Sequence, residues 1–218
     1  SDIGNFNDDY VGCDTPNNLG YSYNADNFDE NNAAKDGYLD NPPVLFTKFL
    51  NRKMETFSYF INSNTSPLKD PNTAEEYRNV MEGNLRNGDP YTVSADAISS
   101  GSPTTKFCYY GNPSKSSEWS MASQSFTPRD LRYSMSTVPM HLNYNQPEEF
   151  SFMLYLHNYV TYTFPPDIKG EAIPELNVAS NYYKDSINNC NISMEAKISP
   201  DTNGMKTGKI EISSIKNT

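Results

Sequence analysis

The chain has 218 residues, 36% of them apolar, and carries 17 Lys and Arg against 27 Asp and Glu for a net charge of −10. This length is enough for one large domain or two small ones with a real core. The negative charge argues against nucleic acid or an anionic membrane surface as partner, since both require basic patches that displace counterions.

In chain order, residues 1–43 form a polar stretch punctuated by Gly and Asn, with one strand-like island at 19–23. Asp2, Asp8, Asp9, Asp14, Asp26, Asp29, Glu30, Asp36 and Asp40 all fall here, opposed by Lys35 alone, so most of the net charge sits in the first 40 residues. So long a polar stretch inside a compact domain needs something to order it. Pro42-Pro43 closes it, and residues 44–50 follow as a short apolar piece compatible with helix or strand. Aromatic and β-branched residues at 56–61 predict a strand, ended by the loop 62–67.

A helix is predicted from Asp70-Pro71. Asp70 can cap, Pro71 suits the first turn, Glu75 and Glu76 favour the positive end, and Tyr77, Val80, Met81 and Leu85 recur at helical spacing before Gly88. Beyond a Ser-, Gly- and Pro-rich loop at 95–103, strands are predicted at 106–110, 131–142 and 150–160. The last two flank 145–148 and are expected to form a hairpin, with Pro139 marking an edge or a bulge. A second helix is predicted over 174–188, with Leu176, Ala179, Tyr183 and Ile187 on one face. Alternating residues at 191–198 and 206–215 predict a final hairpin turning at Asn203-Gly204. There is no internal repeat. The expected fold is mainly β (α+β): sandwich-like antiparallel sheets with about two peripheral helices. Residues 1–189 are expected to form one β-rich module, and 190–218 a hairpin that completes it or opens another.

Several chemistries can be audited directly. Cys13, Cys108 and Cys190 are too few and too widely spaced for a disulfide framework and contain no C-x-x-C pair. One bridge, Cys108 with Cys190, and three free buried thiols are the alternatives. No run approaches the 18 or so apolar residues of a membrane helix, and no signal segment opens the chain, so export would require a leader on a longer precursor. His141 and His157, the only histidines, would stand roughly 20 Å apart on the expected hairpin, too far to share a metal, and read as strand-surface residues. Hydrolase, zincin, P-loop and dinucleotide motifs are absent from the sequence.

Asp130, Glu148 and Glu149 are the acids nominally available for a carboxylate-pair hydrolase, with surface solvation as the alternative. Trp119, the single tryptophan, stands in a Ser-rich loop as a sugar-stacking ligand platform or as a loop anchor. Asp2, Asn5, Asn7, Asp8, Asp9 and Asp14 place six oxygen-bearing side chains within 13 residues, with Gly4 and Gly12 available for sharp turns. Such a set suits a hard cation, calcium above all. It is not an EF-hand, because Tyr10 and Pro16 occupy the positions where that loop needs Gly and Glu. An unpaired acidic surface is the alternative. Metal ligation would offset the chain entropy of ordering a segment with little to bury. Asn64-Thr65-Ser66 and Asn191-Ile192-Ser193 match the glycosylation tripeptide.

The segments 2–6, 8–14 (DDYVGCD) and 19–26 (LGYSYNAD) resemble a module of large secreted Bacteroidetes proteins exported by the type IX secretion system. Asn41-Pro42-Pro43, the strand at 54–61, the helix ending before Gly88-Asp89-Pro90, Tyr109 to Pro113 and Arg129-Asp130-Leu131-Arg132 extend the similarity to about residue 189. Val138 before Pro139 and Leu156-His157 depart from it. The resemblance implies a non-catalytic structural or adhesive role in a secreted or outer-surface protein, with extracellular proteins or glycans as partners and no membrane insertion. It supplies no catalytic residues and no ligand. A carbohydrate-binding module and a secreted carboxylate hydrolase stand as the alternatives.

Overall fold

The computed structural model describes residues 6–31, 36–63, 66–182, 192–199 and 209–217. The fold is mostly β, with 30% strand, 13% helix, antiparallel sheets and two helices. Contacts divide the chain into two compact units, Ser1–Pro174 and Glu175–Thr218.

The first unit is built on β1 (Asp9–Asp14) and β2 (Leu19–Asn24), which pair antiparallel from Asp9↔Asn24 to Asp14↔Leu19. All twelve residues are buried. The acidic opening of the chain therefore contains the centre of the fold as well as the single island read from the sequence. β5 (Val44–Phe49) joins β2, and β10 (Phe152–His157) joins β5, giving the order β1-β2-β5-β10. Side chains of antiparallel partners share a face, so Tyr10, Tyr21, Tyr23 and Phe46 line one side and Val11, Gly20, Ser22, Leu45 and Thr47 the other.

That second side meets a two-stranded sheet of β6 (Met54–Ile61) and β9 (Leu131–Thr137). Gly20 permits the approach: a Cβ there would lie 2.6 Å from the Phe57 ring and 2.9 Å from the Met135 sulfur. Thr47 Oγ1 and Tyr133 Oη, 2.8 Å apart, hold the same interface over β5. Gly12 serves a ring rather than the sharp turn expected of it, because a Cβ would lie 2.7 Å from the Tyr21 hydroxyl.

Two-residue strands β3 (Phe28–Asp29) and β4 (Leu39–Asp40) form one small ladder, and β7 (Tyr91–Thr92) and β8 (Thr104–Thr105) another. Much of 92–130 has no regular structure and is tied down by tyrosine hydroxyls. Tyr21 Oη donates to Gly111 O at 3.0 Å, Tyr59 to Asp96 O at 2.8 Å, Tyr109 to Ala95 O at 3.0 Å, and Tyr10 to Phe126 O. A buried tyrosine supplies ring area and satisfies a carbonyl that a loop would otherwise leave bare.

Several expectations need correction. The strands of the predicted 131–160 hairpin do not pair with each other. β9 pairs with β6 and β10 with β5, and Pro139 lies beyond the end of β9. Alternation reports that a strand has a buried face but not which strand lies beside it. Residues 106–110 dock on β6 through one bridge, Phe57↔Phe107, and do not form a strand. Helix α1 is Ala74–Met81, with Thr73 as its N-cap in a capping box with Glu76. Asp70 is instead paired with Arg132 at 3.0 Å, and Gly83, at φ +79°, ends the helix before Gly88. Val80 is the buried residue of α1, whereas Tyr77 and Met81 are exposed.

Helix α2, Ile173–Tyr182, follows a π-helical turn at Ile168–Ala172 and buries Leu176. Its predicted continuation through Tyr183 and Ile187 lies outside the described residues. In the second unit, β11 (Ile192–Ser199) and β12 (Lys209–Asn217) form the expected hairpin, with a bulge between Glu195 and Ala196.

Candidate cation site at the acidic end of the first hairpin

The structure separates those of the six proposed oxygen ligands that it describes. Asp2 and Asn5 lie outside the described residues, and Asn7 is exposed where the hairpin begins. Asp9 and Asp14 open and close the same six-residue strand, a span of roughly 17 Å at strand rise, so they cannot ligate one ion. Asp14 is also already supplied with donors. Its Oδ1 accepts from Asn17 N at 3.0 Å and Asn17 Nδ2 at 2.8 Å, and Lys169 Nζ lies 3.4 Å from Oδ2.

The other end of the hairpin is different. Asp8 lies just before β1, its carbonyl accepting from Ala25 N at 2.7 Å, and the chain leaving β2 brings Asp29 and Glu30 back beside it. Both carboxylate oxygens of Asp8 are buried without a donor from another described residue. Glu30 is within hydrogen-bonding reach, but two carboxyls can bond only if one is protonated. Burial first, then the charge of Asp29 and the Glu30 contact, push the Asp8 carboxyl up to about 7.

Asn24, cross-strand from Asp9 and 2% exposed, directs Nδ2 to Asp26 O and Oδ1, both at 3.2 Å. Its own Oδ1 is buried with no donor. Asp26 Oδ1 also accepts from Phe28 N at 2.8 Å, and Asp29 Oδ2 accepts from Tyr38 N at 2.8 Å, so turn amides fix these two carboxylates. The result is a corner rich in oxygen acceptors and poor in donors, the donor set a hard cation selects. Among the described residues, no three His, Cys, Asp or Glu side chains already stand as a metal-binding group. Any ion beside Asp8 would therefore draw on backbone carbonyls as well as on carboxylates. Charge density pointed to this part of the sequence, but the 24–30 segment joins Asp8 only through the pairing of β1 with β2.

The remaining candidates are engaged elsewhere. Trp119 is not a platform for sugars. It is 9% exposed, its ring packs 4.8 Å from Tyr109 and 5.4 Å from Tyr110, and Nε1 donates to Ser94 O at 2.9 Å, so it anchors the loop. Asp130 pairs with Arg132 at 3.0 Å and Glu148 with Arg52 at 2.6 Å, while Glu149 Oε1 accepts from Ser151 Oγ at 2.8 Å. His141 is exposed in the loop after β9. His157, expected on a strand surface, is 6% exposed and packs edge-on to Tyr159 at 4.4 Å.

Cys13 and Cys108 are free buried thiols. Burial pushes the Cys13 thiol well above its ordinary value, and its Sγ lies 3.4 Å from Cys108 O. Cys190, Asn64 and Asn191 lie outside the described residues. A shallow pocket of about 380 Å³ is bordered by Pro67, Leu85, Pro90, Ile98 and Thr104, with Asp89 as its one acid and no aromatic ring. It offers neither a carboxylate pair nor a stacking surface. Among the described residues, no helix is long and apolar enough to cross a membrane. Compared with protein-family models, with curated proteins and with solved structures, the chain matches none.

Proposed function

We propose that the chain is a non-catalytic structural or adhesive module of a secreted or cell-surface bacterial protein, in which calcium orders the acidic end of the β1–β2 hairpin. The observation that carries the calcium reading is the Asp8 corner, where both Asp8 carboxylate oxygens are buried without a donor from another described residue beside Asp29 and Glu30. Asp8 would hold the ion, with Asp29 and Glu30, the carboxyls that press on it, supplying further oxygens and charge. Bound there, the ion would replace the missing donors and tie the 24–30 turn to the start of β1.

The resemblance of residues 2–26 to type IX-exported proteins supports the location, and extracellular proteins or glycans are the partners it suggests. The structural role is supported by the way Asp130 and Glu148 are taken up by ion pairs and His157 by packing. Thermal unfolding with and without the ion tests the metal. A ligand at one hundred times its Kd stabilises the state that binds it by about 2.7 kcal/mol, which for a chain of this size corresponds to roughly 5–10 °C in Tm. Calcium should raise Tm by that order over an EDTA control, with magnesium doing less. Identical melting curves under all three conditions would reject the calcium site.

A further inference from the structure

The two edges of the four-stranded sheet are treated differently. At β1 the chain covers its own edge, with Val11 N directed to Met121 Sδ at 3.3 Å and Cys13 N donating to Tyr109 O at 3.3 Å. At the other edge β10 is the last strand, and among the described residues no strand lies beyond it. Edge strands are usually protected by a proline, a charged side chain or a bulge. β10 has none of these: its sequence is FMLYLH, and its register with β5 runs unbroken from Phe152↔Phe49 to His157↔Val44.

β10 also presents an apolar face. Phe152, Leu154 and Leu156 are 55%, 62% and 42% exposed. They lie on the side of the sheet that β6 and β9 cover over β2 and β5, where Gly20 meets Phe57 and Thr47 meets Tyr133, but that cover does not bury them. Phe150 extends the strip, stacked edge-on to Phe49 at 4.9 Å and 6.0 Å from Phe152.

We propose that this edge pairs with the same edge of a second copy, β10 antiparallel to β10 about a two-fold axis through Leu154. Side chains across an antiparallel pair must share a face, and centring on Leu154 meets that condition. Leu154 faces its counterpart, Phe152 faces Leu156, and Met153 faces Tyr155, so every apolar position of the strand meets an apolar position. Centring between two residues would instead set opposite faces against each other.

Charge selects the same occupant. Two chains of net charge −10 repel, yet residues 133–147 and 150–166 contain no Asp, Glu, Lys or Arg, so the copies can meet along a neutral strip. Pairing would join the two sheets into one of eight strands.

Sedimentation equilibrium of the full chain across a concentration series tests this. The wild-type protein should approach twice its 24.6 kDa mass. Leu154→Lys sets two like charges face to face at the axis and should weaken association by roughly tenfold or more. Because Leu154 is exposed, the same variant should keep its circular dichroism spectrum and, at concentrations low enough that both proteins are monomeric, its Tm. Phe152→Lys alone should also weaken the dimer, and adding Leu156→Glu should restore it, because each Lys then faces a Glu across the axis. This pair decides the question if the Leu154 variant does not fold. A wild-type protein that stays monomeric throughout, as it would if the edge receives an extended segment of another protein, overturns the proposal. So does a Leu154→Lys dimer as tight as wild type, or failure of the charge pair to restore association.

Discussion

The two ends of β1 carry the same kind of residue in opposite circumstances. At one end, Asp14 is buried, accepts from the Asn17 amide and the Asn17 side chain, and pairs with the Lys169 ammonium. At the other, Asp8 is hemmed in by Asp29 and Glu30, and no donor from another described residue reaches either of its oxygens. Burying a carboxylate is costly unless charge-assisted hydrogen bonds replace its water. The first end is therefore complete within the protein, and the second is complete only with a proton or a cation. The contrast shows that an acid-rich stretch is informative less for its number of carboxylates than for which of them the fold leaves without donors.

The largest effect should come from breaking the complete end. Asp14→Ala abandons the donors of Asn17 and leaves Lys169 with the Tyr110 carbonyl at 3.2 Å and the more distant Glu118 at 3.8 Å. Losing one member of a buried charged network costs about 2–4 kcal/mol, which urea unfolding would read as a lower midpoint at unchanged slope. Lys169→Met should cost less, about 1 kcal/mol, because the lysine is partly exposed and screened by solvent. If Asp14→Ala is neutral, the network does not contribute to stability and the comparison collapses.

How much of this was legible in the sequence differs between the two ends. The apolar positions of β2 and β6 announced their strands, and the Thr-x-x-Glu that caps α1 stands openly at Thr73 and Glu76, although the neighbouring Asp70-Pro71 is the more conspicuous signal. β1 was not read as a strand because Asp9, Gly12 and Asp14 dilute its apolar pattern; its burial comes from Tyr10, Val11 and Cys13 once the 109–126 loop covers them. Asp14 entered the proposed ligand set because spacing along the chain does not show that a strand will carry it away from Asp8. Lys169, which completes Asp14, lies 155 positions along the chain, a distance no local pattern spans. The hairpin expected at 131–160 failed for the same reason, since β9 and β10 take their partners from 54–61 and 44–49.

A smaller and oppositely signed effect is expected at the incomplete end. Asp8→Asn removes a charge that has no donor and gives Glu30 an amide to accept from. In EDTA at pH 8 it should therefore raise stability by about 1 kcal/mol, a modest figure because the site is only partly buried and is screened by solvent, and Tm by roughly 2–4 °C. The same substitution should abolish the rise in Tm produced by calcium. Asp14→Asn should do neither. A metal-free protein destabilised by Asp8→Asn would mean that the carboxylate has a donor after all.

The smallest effect is a slope with pH, and its sign follows from the direction of the Asp8 shift. The folded state holds the Asp8 proton up to about pH 7, whereas an unfolded aspartate releases it near 3.8. The stabilisation this gives is fully present below pH 3.8 and is lost as pH rises through about 7. The depressed acids act elsewhere. Asp167, held down chiefly by the Asn112 amide, and Asp96, where the Ile98 amide and the Ser99 and Ser94 hydroxyls outweigh burial, contribute stability above 3.8 that disappears only in stronger acid. Between pH 5 and 8 in EDTA, the Tm of the wild-type protein should therefore fall by a degree or two relative to Asp8→Asn, the variant cancelling every other titration. Calcium binds the ionised carboxylate, so saturating calcium should flatten or reverse that difference at the alkaline end. A difference that keeps its slope in calcium would assign the raised Asp8 carboxyl to burial alone, and the acidic corner would then be held by a proton rather than by a metal.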